Sequence, residues 1–341
     1  MLRFLALALA CAPFISAADS EDFLRKSAPV TSSSRLVLRA EFGGIRIRTS
    51  AEKTVKAAVY FRGAPASESE FDAMLRDFTL DVTEQGSEVR VAGTFKDGWT
   101  TQIFNFSHRF CRGWNECLKY SSWLREIEYR VTVPETFSVD LETSGGAISV
   151  DDLKGSLTAR TSGGALNFRH IGGTVNGRTS GGSINLAFGK GDANLRTSGG
   201  PIHIADVSGD VDASTSGGTI TIEHTTGRVK ANTSGGRIEV REASGAISAH
   251  TSGGAVSASL VGQPGTECRL STSGGSINVS LGKDVHMDLD ASTNGGRIST
   301  DFPVNSYNDR HQRELRAPLN GGGPLLYLHT SGGGIHVRRM G

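Results

Sequence analysis

Apolar side chains recur along most of this chain as short alternating pairs, not as helical stripes. Aligned on a repeated Thr-Ser-Gly-Gly phrase, with the threonine counted as zero, position 5 is Ile148, Leu166, Ile184, Ile202, Ile220, Ile238, Val256, Ile277, Ile298 and Ile335. Position 7 reads Val150, Phe168, Leu186, Ile204, Ile222 and Val240, and position 14 reads Leu157, Val175, Ala193, Val211, Val229 and Ile247. Position 16 is mostly alanine or leucine. Residues two apart share one face of a strand, so each unit predicts two short strands with one apolar face apiece. The polar punctuation is as regular. Thr143, Thr161, Thr179, Thr197, Thr215, Thr233 and Thr251 stand 18 residues apart, with further copies at Thr272, Thr293 (as Thr-Asn-Gly-Gly) and Thr330. Glycines at positions 2, 3 and 12 predict the turns between the strands.

One such unit cannot bury its own faces, whereas a stack of units joins equivalent residues into continuous ladders. The fold class expected is all-β: a single β-solenoid, parallel β-helix-like, with 18-residue rungs and a small N-terminal α+β capping region. About ten rungs at roughly 4.8 Å each make a rod on the order of 45–50 Å. The irregular late units obey the same rule, because Cys268 and Leu270, then Leu326 and Leu328, take the inward slots before their threonines. The ends of a rod are open strand edges that need covering. Residues 96–125 and 301–324 are the candidate caps.

Outside the array the pattern changes. Residues 1–18 read as a signal peptide: Arg3 is followed by an apolar run over residues 4–15 that is too short to span a bilayer, with small residues at Ala17 and Ala18 for cleavage. Leu9-Ala10-Cys11 offers lipidation at Cys11 as an alternative. Residues 19–34 are polar and read as a flexible leader. Residues 35–135 hold two strands around Gly43-Gly44, a short amphipathic helix over 67–78 and a hairpin over 80–95 that turns at Gln85-Gly86. They also hold an aromatic insert at 96–125 with Trp99, Trp114 and Trp123. Residues 136–341 are the repeat array. Past the signal no segment is long and apolar enough to cross a membrane, so the chain is expected to be periplasmic, cell-surface or secreted.

Composition narrows the chemistry. A formal net charge of +1 gives no global field for nucleic acid. Cys111 and Cys117 bracket a five-residue loop that an oxidising compartment would close as a disulfide. Cys268 occupies a core slot. The nine histidines show no metal-ligand spacing, and neither a nucleophile elbow nor a phosphate loop is present, so no cofactor, metal or catalytic residue is expected.

The Thr-Ser-Gly-Gly-x-Ile-x-Val units, behind an export signal and a Val131-Thr132-Val133-Pro134 lead-in, resemble a bacterial cell-envelope family known as "putative adhesins", a β-solenoid domain of unknown function. The resemblance covers residues 35–341 and is strongest over 130–300. It implies a solenoid in the envelope with no established catalytic residues, and the aromatic insert departs from the family's pattern.

A site would lie on outward positions. Position 17 stacks Arg160, Arg178 and Arg196 on consecutive rungs, and positions 13 and 15 supply Asp192, Asp210 and Asp212, then Arg228 and Lys230. The arginine column could grip a surface glycan or other polyanion. The aspartates could serve as acid and base in a polysaccharide lyase or hydrolase, or simply pair with Arg228 and Lys230 across rungs. The tryptophans could cap the core or recognise a protein or carbohydrate partner, as in an envelope-stress sensor that binds a peptide or lipid. The reading adopted is an exported, non-enzymatic scaffold of the adhesin kind.

Overall fold

The computed structural model describes residues 22–30, 34–61, 78–95, 127–304 and 313–340. Every regular element among them is a strand. The aromatic insert and the expected helix lie outside the described residues, apart from Phe78, which opens a strand.

Each unit contributes one strand to each of two 14-stranded sheets. The front sheet takes the first strands: β9 (Ile148–Asp151), β11 (Leu166–Arg169), β13 (Ile184–Gly189), β15 (Ile202–Val207), β17 (Ile220–Thr225), β19 (Ile238–Ala243), β21 (Val256–Leu260) and β23 (Ile277–Leu281). The rear sheet takes the second: β8 (Ser138–Thr143), β10 (Leu157–Thr161), β12 (Val175–Arg178), β14 (Ala193–Arg196), β16 (Val211–Ser214), β18 (Val229–Thr233), β20 (Ile247–Thr251) and β22 (Cys268–Thr272). Pairing is parallel and in register. Ile184, Ile202 and Ile220 adjoin one another, as do Ala193, Val211 and Val229 on the other sheet. These inward residues are buried and join one core. Full burial of each large aliphatic side chain contributes roughly 1.5–3 kcal/mol. Volume is balanced within a rung. Phe168 fills the space that Gly177 leaves, since a Cβ on Gly177 would lie 3.1 Å from the Phe168 ring.

The threonine of each phrase is buried, and its work is structural. Thr215 Oγ1 donates to the Gly200 carbonyl of the preceding rung at 3.0 Å and accepts from the Gly218 N–H of its own rung at 3.3 Å. The same bridge to the preceding rung's turn recurs from Thr161 to Thr272. A hydroxyl ladder therefore runs down one side of the stack and satisfies the turn carbonyls of successive rungs.

The stack extends beyond the clean repeats at both ends. β2 (Arg35–Ala40) and β3 (Gly44–Ser50) form a rung on β8 and β9, so the sheets run unbroken through residue 135. β6 (Glu88–Phe95) and β7 (Ile127–Pro134) add one more parallel rung. Antiparallel strands close that end: β5 (Phe78–Gln85) on β6, then β4 (Thr54–Phe61) on β7, with β1 (Asp22–Pro29) on β4. β5 and β6 are the expected hairpin, with Gly86 at φ 60°. β1 corrects the expected leader. Asp22–Pro29 is a strand because its backbone completes the exposed edge of β4.

At the other end chain order and stacking order part. β27 (Leu325–Thr330) and β28 (Ile335–Arg339) lie directly on β22 and β23. The earlier β24 (Met287–Thr293) and β25 (Ile298–Thr300) lie outside them, and β26 (Glu314–Leu319) runs antiparallel along β24. The last rung is thus inserted beneath the one that precedes it. β26, from the described part of the 301–324 stretch, lies along the β24 edge.

Candidate functional site

The outward positions of the rear sheet carry the candidate residues, and strict register brings them together. Arg160, Arg178 and Arg196 adjoin across β10, β12 and β14. Rungs stand about 4.8 Å apart, and like charges directly opposite destabilise a sheet. The two outer members are compensated. Arg160 reaches Asp140 at 3.4 Å, while Arg196 reaches Asn194 at 3.0 Å and Asp212 at 3.5 Å. Arg178 has no hydrogen-bond or ion-pair partner among the described residues and is exposed. The column is therefore a row of guanidiniums whose centre is open to an external anion.

Beside it the aspartates line a depression of about 610 Å³, with Asn176, Asn194, Arg228, Lys230 and Glu267 also on its wall. Asp192 accepts a hydrogen bond from the Asp210 backbone N–H at 2.9 Å. Asp210 does the same for Arg228 at 2.8 Å, and its other oxygen takes the Arg228 fork at 3.0 and 2.6 Å. The side-chain hydrogen bonds from Arg228 hold the Asp210 carboxyl below the usual carboxylate range. Asp212 lies between Arg196 and Lys230, at 3.5 and 3.7 Å. These carboxylates tie successive turns and cations together. A general acid needs the opposite shift, upward.

The strongest ionic cluster on this face escaped the sequence reading. Asp140, buried, accepts from Arg35 at 2.7 Å and from Arg39 at 3.0 Å, with Arg160 at 3.4 Å. Register is the missing signal: Arg39, Glu142 and Arg160 form one outward column, and Asp140 stands one column inside it. Burial alone would raise the Asp140 carboxyl. The hydrogen bond and charge of Arg39, then Arg35 and Arg160, outweigh it and hold the group below its ordinary 3.8. A carboxyl depressed on folding contributes stability that is present above its unfolded value and is lost as pH falls through its folded value. Asp140→Asn should therefore lower the thermal midpoint at pH 7. The gap from the parent should close as pH drops below about 4. An equal gap at pH 7 and pH 3 would discount the network.

Trp99, Trp114, Trp123, Cys111 and Cys117 lie outside the described residues. Cys268 is buried in the core, and burial pushes its thiol upward, as befits an inert packing residue. No group of three or more metal-ligating side chains occurs among the described residues.

A family model described as Toastrack DUF4097 matches residues 35–324. Similar solved structures include a "putative cell adhesion protein" from Clostridium sporogenes ATCC 15579, 12% identical, covering 93% of this chain and 99% of that one, at a TM-score of 0.23. Two others are a "putative adhesin" from Bacteroides fragilis NCTC 9343 (10% identical, 93% and 96% covered, TM-score 0.30) and one from Parabacteroides distasonis ATCC 8503 (10%, 93% and 96%, TM-score 0.34). No curated protein matches the chain.

Proposed function

The chain belongs to the Toastrack DUF4097 family, a family of unknown function, and from that premise we propose that it is an exported, non-enzymatic scaffold that holds an acidic surface glycan on the outer face of its rear sheet. Export rests on the first residues, where Arg3 precedes an apolar run of signal-peptide length. One observation carries the binding reading: a column of three stacked arginines whose middle member, Arg178, has no partner among the described residues. Stability alone disfavours the middle member, since Arg178 meets a like charge on either side and replacing it would relieve repulsion without breaking an ion pair. An extended polyanion relieves it instead, because carboxylates or sulfates repeated along a chain can take successive forks. The neighbouring Asn176 and Asn194 amides add neutral donors of the kind a sugar hydroxyl or carboxylate accepts.

Binding is favoured over turnover because the aspartates are already engaged, Asp210 by the Arg228 fork above all. Surface plasmon resonance on immobilised polygalacturonate tests the reading. Arg178→Ala should weaken binding roughly tenfold, and the Arg160/Arg178/Arg196 triple alanine variant should abolish it with the β-rich circular dichroism unchanged. Binding by the triple variant equal to that of the parent removes the proposal. Release of unsaturated or reducing ends by the parent, lost in Asp210→Ala, would instead establish the lyase or hydrolase.

A further inference from the structure

A second basic site stands on the opposite sheet, at the end of the stack where the antiparallel strands close it. Pairing sets Arg25 of β1 beside Ala58 of β4, Ala58 beside Arg130 of β7, and Arg130 beside Arg46 of β3. The next outward row reads Ser27, Lys56, Thr132, Arg48 across the same four strands. Small side chains at Ala58 and Thr132, flanked by long cations, leave a depression of about 500 Å³ walled on one side by Tyr60. Its lining holds Arg25, Arg46, Arg48, Lys56 and Arg130 and no carboxylate, while Lys26, also on the wall, sends its ammonium to Asp81 at 3.3 Å and Lys56 lies 2.6 Å from Glu52. The chain as a whole carries a formal net charge of only +1, so this is a local concentration of charge.

The cations are held from behind. Glu128, buried, accepts a hydrogen bond from Arg130 Nε at 2.7 Å and so orients that guanidinium, and it lies 3.3 Å from Arg46 Nε as an ion-pair partner. Arg46 Nε is itself buried, and its approach to Glu128 lacks hydrogen-bond alignment. Arg130 also lies over the Tyr60 ring, 3.8 Å from its centroid. Arg48 is exposed and has no hydrogen-bond or ion-pair partner among the described residues. Several guanidiniums around one concavity, with Arg130 held in place by Glu128, make an anion site. A monocarboxylate would occupy one fork. A tetrahedral oxyanion takes donors from several directions at once.

We infer that this pocket binds a phosphate-type oxyanion with two or more negative charges, whether free or borne on a lipid headgroup. The site shares no residue with the arginine column of the rear sheet and stands or falls without it. Isothermal titration of the full chain with inorganic pyrophosphate tests it. The parent should bind, more weakly as salt rises. The Arg25→Ala/Arg48→Ala double variant should bind roughly tenfold or more weakly. Arg241→Ala, on the same sheet far along the stack, should bind as the parent does. Sedimentation with phosphatidylcholine vesicles containing phosphatidic acid, whose phosphomonoester headgroup can carry two charges, separates the sources: pyrophosphate binding with co-sedimentation indicates a headgroup phosphate, and pyrophosphate binding without it a free one. The inference is overturned by a parent that takes up no pyrophosphate at millimolar concentration, by a double variant equal to the parent, or by co-sedimentation without pyrophosphate binding.

Discussion

Gly218→Ala is expected to destabilise the protein severely, and Gly217→Ala, one residue earlier, hardly at all. Both glycines belong to the same Thr-Ser-Gly-Gly phrase, and only space distinguishes them. A Cβ on Gly218 would stand 2.0 Å from the Gly200 carbonyl oxygen and 2.4 Å from its carbon, both main-chain atoms of the preceding rung. A Cβ on Gly217 finds nothing closer than the Gly199 oxygen at 3.6 Å. Side chains can give way; a stacked backbone held in register on both sides cannot. Relief would require opening the step between two rungs, which would also break the bridge through Thr215 Oγ1. A cost of roughly 3 kcal/mol or more is expected for Gly218→Ala. Gly217→Ala should fall within about 0.5 kcal/mol of the parent, because a surface substitution away from special features rarely does more. Chemical denaturation followed by circular dichroism compares the two. Equal losses would mean that the second glycine is not a steric requirement of stacking.

That contrast separates what the sequence states from what it withholds. The period, the two strands per unit and the inward slots were legible because a single alternation rule repeats in every rung and burial enforces it. Even Cys268 could be assigned to the core this way. The distinct duties of the two glycines were not legible, since both read as turn residues until the neighbouring rung is in place. The arginine column followed from spacing alone, because parallel register carries a residue to the one 18 positions on. Arg178's isolation did not follow, as it depends on where Asp140 and Asp212 direct their charge. The basic pocket was hidden altogether. Its residues are drawn from positions 25 to 130, and only the antiparallel closure of the stack, which breaks the period, makes them neighbours. The inserted last rung was hidden for the opposite reason: every rung presents the same threonine-glycine edge, so periodicity cannot say which edge receives which strand.

The insertion leads to the other large effect, in a chain shortened to end at Asn320. Such a chain keeps every residue of β24, β25 and β26 but should lose their order. Among the described residues β25 pairs only with β28, and β24 pairs with β27 on one side and the short β26 on the other. The hydroxyl ladder runs the same way, from Thr330 Oγ1 to the Gly275 carbonyl at 2.7 Å and from Thr293 Oγ1 to the Gly333 carbonyl at 2.7 Å. Without the inserted rung the outer strands are cut off from the stack and its ladder, and β24 keeps only β26, a two-stranded ribbon of marginal stability. Amide exchange in Met287–Thr293 should accelerate by roughly a hundredfold or more, because a strand that has lost the stack and keeps one short partner opens at little free-energy cost. The middle of the array should keep its protection, since each rung contacts only its neighbours. The newly bared edges of β22 and β23 are parallel, apolar on one face and uncovered, so the shortened chain should also self-associate, as size-exclusion chromatography would show. The competing possibility is that β24 and β25 move inward and stack directly on β22 and β23, for which their own threonine and glycines are equipped. Native protection of Met287–Thr293 in a monomeric shortened chain would establish that move and make the last rung an interchangeable one. Its position beneath β24 argues otherwise: the chain has to fold back past two formed strands to reach it, and only pairing on both faces compensates for closing so non-local a contact.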